Sequence, residues 1–257
     1  MTFYPDLPYV DGRPSAVGDL FLPETFSGTP VLLIHGGGWK ALAKEDFAFM
    51  VPFFLRAGRP VFNINYRLLG EAFWPACVED CRAAAEFILS GGLETEGLPA
   101  PEKIIICGAS AGGHLAMATG LGLPHLRVAA ILSMAGPSRI DWVANNQDPL
   151  GMYDGFLEGF FGTAIAPEDA LVRKASPALM VPPNPPRLFC LHSRNDRLVP
   201  PEQSAEACRA WSEAGGQAEV SLIDGDGDLH GFWIANERER IRPEVGEWVD
   251  RCLSLIP

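Results

Sequence analysis

The chain has 257 residues, enough for one large domain with a buried core. Apolar residues make up 47% of it and charged residues 20%, which is typical of a globular enzyme. The net charge of −12 argues against nucleic-acid binding, because contacts to phosphates need clustered lysines and arginines. It equally disfavours binding to an anionic membrane surface.

The N-terminal residues carry neither the basic segment nor the apolar core of a secretory signal, and no stretch approaches the roughly 18 apolar residues of a membrane span. We therefore expect a cytoplasmic protein. Cys107 and Cys190 lie in apolar runs, where we expect reduced core thiols. Cys77 and Cys81 share a predicted helix, but no second ligand pair follows at zinc spacing, so no metal site is expected.

Strand-like and helix-like segments alternate along the chain. This alternation predicts a mostly parallel sheet with helices on both faces, in a single domain spanning residues 1–257. The predicted strands span residues 17–22, 31–34, 60–64, 104–107, 129–134, 187–192 and 218–223. The predicted helices span residues 44–57, 75–89, 111–121, 201–214 and 237–255.

Residues 138–186 interrupt this alternation. They hold several aromatic side chains among Gly, Asp and Pro residues and end in a proline-rich run. A stretch of this length without strands is often functional in a compact domain. We expect a small lid or pocket wall of short helices. The alternative is a surface excursion whose aromatic side chains pack on the core.

The most informative motif is Gly108-Ala109-Ser110-Ala111-Gly112, between an apolar strand-like run and a small-residue helix. A serine on a sharp strand-to-helix turn is a nucleophile elbow, which exposes the hydroxyl and aims the helix N-terminus at the reacting group. Glycines flank the serine because side chains would clash where the turn forces unusual backbone angles. The motif predicts a nucleophilic Ser110.

A second glycine motif, His35-Gly36-Gly37-Gly38-Trp39, follows another apolar strand-like run. Three successive glycines cost chain entropy and need a reason. A backbone without side chains can bring its N–H groups close to an oxyanion. A flexible turn would also use three glycines, but the flanking histidine and tryptophan and the serine elbow downstream favour an oxyanion loop.

A serine nucleophile needs a base within hydrogen-bond reach, and that base needs a carboxylate to orient it. Of the five histidines, His230 is selected by the chain order nucleophile, acid, base that this architecture uses. We expect His35 to brace the glycine loop and His114 to point away from the serine hydroxyl. His192 ends a predicted strand.

The predicted acid is Asp196, a short turn after the strand at residues 187–192. Catalytic groups collect at the carboxyl ends of parallel strands, which favours this position. The rivals are three aspartates that precede the predicted base: Asp224, Asp226 and Asp228. Their spacing suggests a calcium-binding loop, but Leu229 stands where such a loop needs glycine, so we expect a solvated turn.

Together these motifs resemble the α/β-hydrolase superfamily. They are most similar to its esterases with an HGGGW oxyanion loop and a GxSAGGHLA elbow, which include hormone-sensitive-lipase-like carboxylesterases and the related arylformamidases. The matching pieces are spread over nearly the whole chain, at residues 35–39, 65–68, 75–83, 108–116, 196–200 and 230–232. Two departures are Ser193, where the family usually has glycine, and the absence of the large N-terminal helical cap.

The resemblance implies a mechanism. It makes Ser110 the attacking group and His230 the general base and then the general acid, with Asp196 orienting the imidazole. It further implies an oxyanion hole formed by three backbone N–H groups, those of Gly37, Gly38 and Ala111.

We therefore expect a serine carboxylesterase that hydrolyses small, short-chain carboxylic esters through an acyl-enzyme, without a metal or organic cofactor. The only partner expected is the small-molecule ester. An arylformamidase acting on N-formylkynurenine is the alternative, and a non-catalytic small-molecule receptor is the rival from another class. The candidate pocket walls, which could equally recognise an aryl leaving group, are Trp39, Trp142, Phe156, Phe160 and Phe161.

Overall fold

The computed structural model describes residues 1–26, 28–145, 155–224, 230–233 and 241–256. These residues form one eight-stranded sheet. Its strands are β1 Thr2–Pro8, β2 Val17–Leu22, β3 Val31–Ile34, β4 Val61–Ile64, β5 Ile104–Ala109, β6 Val128–Met134, β7 Arg187–Ser193 and β8 Ala218–Ile223.

The strands lie in the spatial order β1-β2-β4-β3-β5-β6-β7-β8. The first two are antiparallel to their neighbours, and all pairs from β4 to β8 are parallel. The mostly parallel sheet predicted from the sequence is thus confirmed. Because parallel strands end at the same edge, the segments that follow β3, β5, β7 and β8 leave the sheet together.

Helices cover both faces of the sheet. Within the described residues the α-helices are α1 Val51–Arg56, α2 Ala76–Leu89, α3 Ala111–Gly122, α4 Ile140–Asn145, α5 Phe156–Phe161, α6 Ala170–Lys174, α7 Glu202–Glu213 and α8 Pro243–Ser254. On one face α2, α3 and α7 bury residues such as Leu115 and Trp211, and on the other face α1 and α8 bury Phe54 and Trp248. None of the described helices is long and apolar enough to cross a membrane.

The structure departs from the predicted elements at three places. The edge strand β1 was not predicted, because it is mostly exposed, holds two prolines and has an irregular register between Tyr4 and Leu7. The helix predicted at residues 44–57 is a 3₁₀ helix, Lys44–Met50, followed by α1, whose second residue is Pro52. The last helix begins at Pro243, whereas residues 237–240 of its prediction lie outside the described residues.

Candidate active site

Ser110 lies on the sharp turn between β5 and α3. Its backbone angles are φ 54° and ψ −124°, a conformation that costs a non-glycine residue about 1–3 kcal/mol. A Cβ atom added to Gly112 would lie 2.1 Å from the carbonyl oxygen of Ile34, so only glycine allows α3 to approach β3 this closely. The turn therefore has the strained geometry expected of a nucleophile elbow.

A chain of hydrogen bonds joins three side chains from three different loops. The Nε2 atom of His230 lies 2.7 Å from the Oγ atom of Ser110, and its Nδ1 atom lies 2.7 Å from the Oδ2 atom of Asp196. Since a carboxylate can only accept, Nδ1 carries the proton and Nε2 is left to accept from the serine hydroxyl. The structure thus brings together the three residues selected from the sequence.

The carboxylate of Asp196 is buried and held by further donors. Its Oδ1 atom accepts from the backbone N–H groups of Leu198 at 3.0 Å and Val199 at 2.9 Å. Burial would raise the pKa of this carboxyl group, but hydrogen bonds from His192 and His230 outweigh that effect and lower the pKa to about 2. The group is therefore ionised at neutral pH, as an orienting acid must be.

His192 links the loop that carries Asp196 to α7. Its position at the end of a predicted strand did not reveal these contacts. The ring is fully buried, and its Nε2 atom donates to the carbonyl oxygen of Val199 at 2.8 Å while lying 3.4 Å from Oδ2 of Asp196. Its Nδ1 atom accepts from the Ser204 hydroxyl at 2.7 Å. The one available sequence signal was the spacing of a histidine four residues before the acid.

The glycine loop after β3 adopts a left-handed backbone over three successive residues. The φ angles are 98° at Gly37, 59° at Gly38 and 61° at Trp39. The carbonyl oxygen of Gly37 accepts from the N–H groups of Lys40 at 3.1 Å and Ala41 at 3.0 Å, which closes a tight turn. A Cβ atom on Gly37 would lie 1.9 Å from the carbonyl oxygen of Ala41, so this position requires glycine.

This loop lies against the serine elbow. A Cβ atom added to Gly36 would lie 3.2 Å from the Cβ atom of Ser110. Within the part of the chain that the structure describes, the backbone N–H groups of Gly37, Gly38 and Ala111 have no hydrogen-bond acceptor. Such groups are free to donate to an anionic oxygen bound beside the serine.

A cavity of about 690 Å³ opens onto Ser110 and His230. Apart from the glycine loop, its apolar wall includes Phe47 and Phe49 of the 3₁₀ helix, and also Leu42, Trp233 and Ile241. Glu45 and Asp46 also line it. Pockets of roughly 300–1,000 Å³ hold small ligands, so this one has room for a small ester or amide.

The BD-FAE family model matches residues 19–210, which is most of the chain. The chain belongs to the BD-FAE family. Among curated proteins it is 29% identical to esterase LipQ of Mycobacterium tuberculosis, over 98% of this chain and 62% of LipQ. It is 29% identical to a kynurenine formamidase of Salmo salar, over 43% of this chain and 36% of that protein. The chain thus spans less than two thirds of the length of either relative.

A solved structure described as a truncated carbohydrate esterase from gut microbiota shares the fold of this BD-FAE member. The TM-score is 0.80 and the identity 23%, over 99% of this chain and 97% of that chain. This likeness confirms the α/β-hydrolase fold that the motifs implied.

The predicted pocket walls are placed differently from expectation, with the exception of Trp39. That residue lines the cavity, whereas the four aromatic residues of the segment at residues 138–186 do not. Phe160 is fully buried, and its ring centroid lies 5.1 Å from that of Trp39. Phe156 packs on the same indole at 5.6 Å.

The other two predicted wall residues also pack elsewhere. The Phe161 ring lies 5.6 Å from that of Trp74, and the Trp142 ring lies under the guanidinium group of Arg139 at 5.2 Å. Three of the four rings, those of Phe156, Phe160 and Phe161, pack on the indoles of Trp39 and Trp74, which buries more apolar surface than a place at a solvent-filled cavity would. These contacts agree with the alternative interpretation of residues 138–186, in which the segment is a surface excursion whose aromatic side chains pack on the core.

Of the three rival aspartates, the structure describes only Asp224, which pairs with an arginine. Asp224 is exposed, and its Oδ1 atom lies 3.2 Å from the Nε atom of Arg194. Asp226 and Asp228 lie outside the described residues, as does Leu229.

His35 braces the glycine loop from within. Its Nδ1 atom donates to the carbonyl oxygen of Gly36 at 2.8 Å, and its ring stacks on that of Tyr66 with centroids 4.3 Å apart. The Tyr66 hydroxyl donates to the carbonyl oxygen of His35 at 3.0 Å. Burial lowers the pKa of His35 to about 4, despite the bond to Gly36, which favours the protonated form.

This buried histidine makes folding stability depend on pH. Because the pKa of His35 is about 4 in the folded protein and 6.5 for an ordinary exposed histidine, the unfolded chain binds a proton between these pH values and the folded chain does not. The free energy of unfolding should therefore fall as pH decreases from 6.5 to 4, by up to ~3 kcal/mol from this residue. In urea unfolding at several pH values, the free energy of unfolding of His35→Asn should decrease less steeply with falling pH than that of wild type.

The control for this measurement is His125→Asn, which changes an exposed histidine after α3. It should leave the pH dependence of the free energy of unfolding unchanged. Equal slopes for wild type and His35→Asn would contradict the assignment of a neutral, buried His35.

Proposed function

We propose that this BD-FAE-family protein is a serine carboxylesterase acting on small, short-chain esters. The observation that carries the proposal is the unbroken hydrogen-bond chain from Asp196 through His230 to the Ser110 hydroxyl, at the wall of a ligand-sized cavity. The similarity to esterase LipQ over nearly the whole chain supports it. A non-catalytic receptor would not need this chain, which favours the enzyme.

The first half-reaction forms an acyl-enzyme. The Oγ atom of Ser110 attacks the ester carbonyl carbon while His230 takes the hydroxyl proton at Nε2. Asp196 stays ionised and stabilises the resulting imidazolium through the Nδ1–H bond. When the tetrahedral intermediate collapses, the carbon–oxygen bond to the alcohol breaks and His230 returns the proton to the leaving alkoxide.

The second half-reaction releases the acid. A water molecule attacks the acyl carbon and gives its proton to His230, and the new tetrahedral intermediate expels the Ser110 oxygen, which recovers the proton. The steps use protein groups and water alone.

Each tetrahedral intermediate carries a negative oxygen, and three backbone donors could stabilise it. The N–H groups of Gly37, Gly38 and Ala111 have no acceptor in the described chain and lie on the two turns that meet at Ser110. Donors fixed before the reaction need no reorganisation, so they lower the barrier more than mobile water would. We assign these groups as the oxyanion hole.

Hydrolysis of an aryl formamide is the second candidate. It would use the same nucleophile and base, with an amine in place of the alcohol as leaving group. The similarity to a kynurenine formamidase favours it, and Phe49 and Trp233 could contact an aryl group in the cavity. The similarity covers less than half of this chain, so the ester reaction is the better supported proposal.

A panel of p-nitrophenyl esters from two to about twelve acyl carbons tests the proposed substrate class. We expect kcat/KM to peak at about two to six carbons, because each buried methylene gains about 0.8 kcal/mol but overfilling a walled pocket costs about 1–3 kcal/mol. A steady rise to the longest ester would contradict the short-chain assignment. Faster turnover of N-formylkynurenine than of any ester would favour the formamidase, with Ser110→Ala as the background control for both.

A further inference from the structure

The side chain that fixes the glycine loop is the indole of Trp39. This residue has a left-handed backbone, φ 61°, which is unfavourable for a bulky side chain. Such a conformation persists only where the surroundings hold it. The indole is almost fully buried, packs on Phe156 and Phe160, and donates its Nε1–H to the Nδ1 atom of His114 at 3.1 Å.

His114 is fully buried in α3, one turn after the serine, and its ring has a partner at each nitrogen. Its Nε2 atom lies 2.8 Å from the carbonyl oxygen of Ala175. A carbonyl can only accept and an indole N–H can only donate, so Nε2 carries the proton and Nδ1 is the acceptor. The two bonds thus fix both the tautomer and the orientation of the ring.

The pair of bonds ties together three parts of the fold. Trp39 belongs to the glycine loop, His114 to the helix that begins at the serine elbow, and Ala175 to the segment at residues 138–186. That segment is itself anchored to α7, because the hydroxyl of Ser138 donates to the carbonyl oxygen of Gln203 at 2.6 Å. Both turns that meet at Ser110 are therefore held to one buried imidazole.

We propose that His114 is a positioning residue which, through Trp39, holds the N–H groups of Gly37 and Gly38 in line with an oxygen bound at Ser110. The assignment rests on the proposed esterase function. His114 touches no reacting atom and acts by fixing the loop. A misplacement of donors by about 1 Å can cost about 100-fold in rate, so the loss of this anchor should appear in turnover.

Three variants separate the two hydrogen bonds from packing. Trp39→Phe keeps an aromatic ring and removes the donor. His114→Leu fills the space of the imidazole with an apolar side chain and removes both hydrogen bonds. His114→Asn places an amide oxygen two bonds from Cβ, where Nδ1 lies in histidine, and so retains an acceptor for the indole.

We expect Trp39→Phe and His114→Leu each to lower kcat by about 10- to 100-fold, with KM for p-nitrophenyl acetate changed less than about threefold, because donors to the oxyanion act mainly in the transition state. His114→Asn should recover most of the loss. The double variant Trp39→Phe/His114→Leu should be no slower than the more affected single variant, since both remove the same contact. Rates are expressed per active site titrated with a fluorophosphonate.

The inhibition constant of a trifluoromethyl ketone, which forms a tetrahedral adduct with the serine, should rise in parallel with the loss of kcat/KM. The pH–rate profile should keep its shape, because the bonds of His230 to Ser110 and Asp196 are unchanged. If the three variants lower only the melting temperature, with kcat per titrated site equal to that of wild type, His114 is a structural core residue and the proposal is overturned.

Hydrogen exchange of the backbone amides of Lys40 and Ala41, which both donate to the carbonyl oxygen of Gly37, separates this proposal from the esterase proposal. In Trp39→Phe and His114→Leu, but not in His114→Asn, these amides should exchange about tenfold faster or more, whether or not any ester is turned over. If the wild-type protein has no hydrolytic activity but the variants show this exchange pattern, the proposed esterase function is wrong and the role of His114 in holding the glycine loop stands. Unchanged exchange in all three variants would overturn the anchor.

Discussion

Replacing Ser110 by alanine is expected to lower kcat for p-nitrophenyl acetate by about 10⁵- to 10⁶-fold, because the nucleophile and its base act as one unit. The residual rate would come from the oxyanion donors and from water activated by His230. The fold should persist, because the variant loses only the hydrogen bond between the hydroxyl and His230. The glycines that allow the close approach of α3 to β3 are unchanged. Steady-state kinetics on purified protein, with circular dichroism as a check of folding, measures both effects.

The matched control is Ser212→Ala, which removes an exposed hydroxyl on α7. Its kcat should equal that of wild type within experimental error. A Ser110→Ala variant with an intact rate would remove the nucleophile assignment, and with it the proposed acyl-enzyme.

Replacing Asp196 by asparagine is expected to lower kcat by about 10⁴-fold. The amide oxygen can still accept from the backbone N–H groups of Leu198 and Val199, so the loop geometry should be kept. However, the amide N–H can donate to Nδ1 of His230, which stabilises the tautomer that carries its proton on Nε2. In that tautomer the imidazole cannot accept the proton of the serine hydroxyl.

Asp224→Asn serves as the matched control, because this carboxylate is exposed and paired with Arg194. Surface ion pairs contribute about 0–1 kcal/mol, so neither rate nor stability should change much. Asp226→Asn and Asp228→Asn extend the comparison to the other rivals. A larger loss of kcat in any of these three variants than in Asp196→Asn would show that the orienting acid was assigned to the wrong loop.

The parts of the site that could be predicted from the sequence are those encoded by local backbone requirements. Ser110 stands out because only glycines tolerate the close approach of α3 to β3, and the glycine loop stands out because Gly37 has no room for a side chain. His230 and Asp196 followed from chain order and from the common edge at which parallel strands end. The mostly parallel sheet follows from the alternation of strands and helices.

The cavity walls could not be predicted because they depend on tertiary packing. Phe156 and Phe160 are aromatic and lie in the segment expected to form a lid, but their rings pack on the indole of Trp39 and do not line the cavity. The wall is instead built by the 3₁₀ helix with Phe47 and Phe49, whose apolar pattern resembles that of any core-facing helix. Periodicity identifies which face of a helix is apolar, but not whether it meets a core or a cavity.

The partners of the buried histidines were hidden for a related reason. His114 and His192 each make two hydrogen bonds, and some of their partners are backbone carbonyl oxygens far along the chain or in the next turn. Every residue except the chain end supplies a carbonyl, so no residue type marks these contacts in the sequence. The expectation that His114 points away from the serine hydroxyl agrees with its bonds to Trp39 and Ala175.

Trapping the acyl-enzyme tests the central claim most directly. Wild-type protein is mixed with p-nitrophenyl acetate, quenched with acid during the first turnovers and digested for peptide mass spectrometry. We expect a burst of p-nitrophenol equal to the concentration of active sites, and a single acetyl group on the peptide that contains Ser110, absent from Ser110→Ala. Turnover with the acetyl group on another residue, or a Ser110→Ala variant that is as active and as acetylated as wild type, would contradict a nucleophilic Ser110.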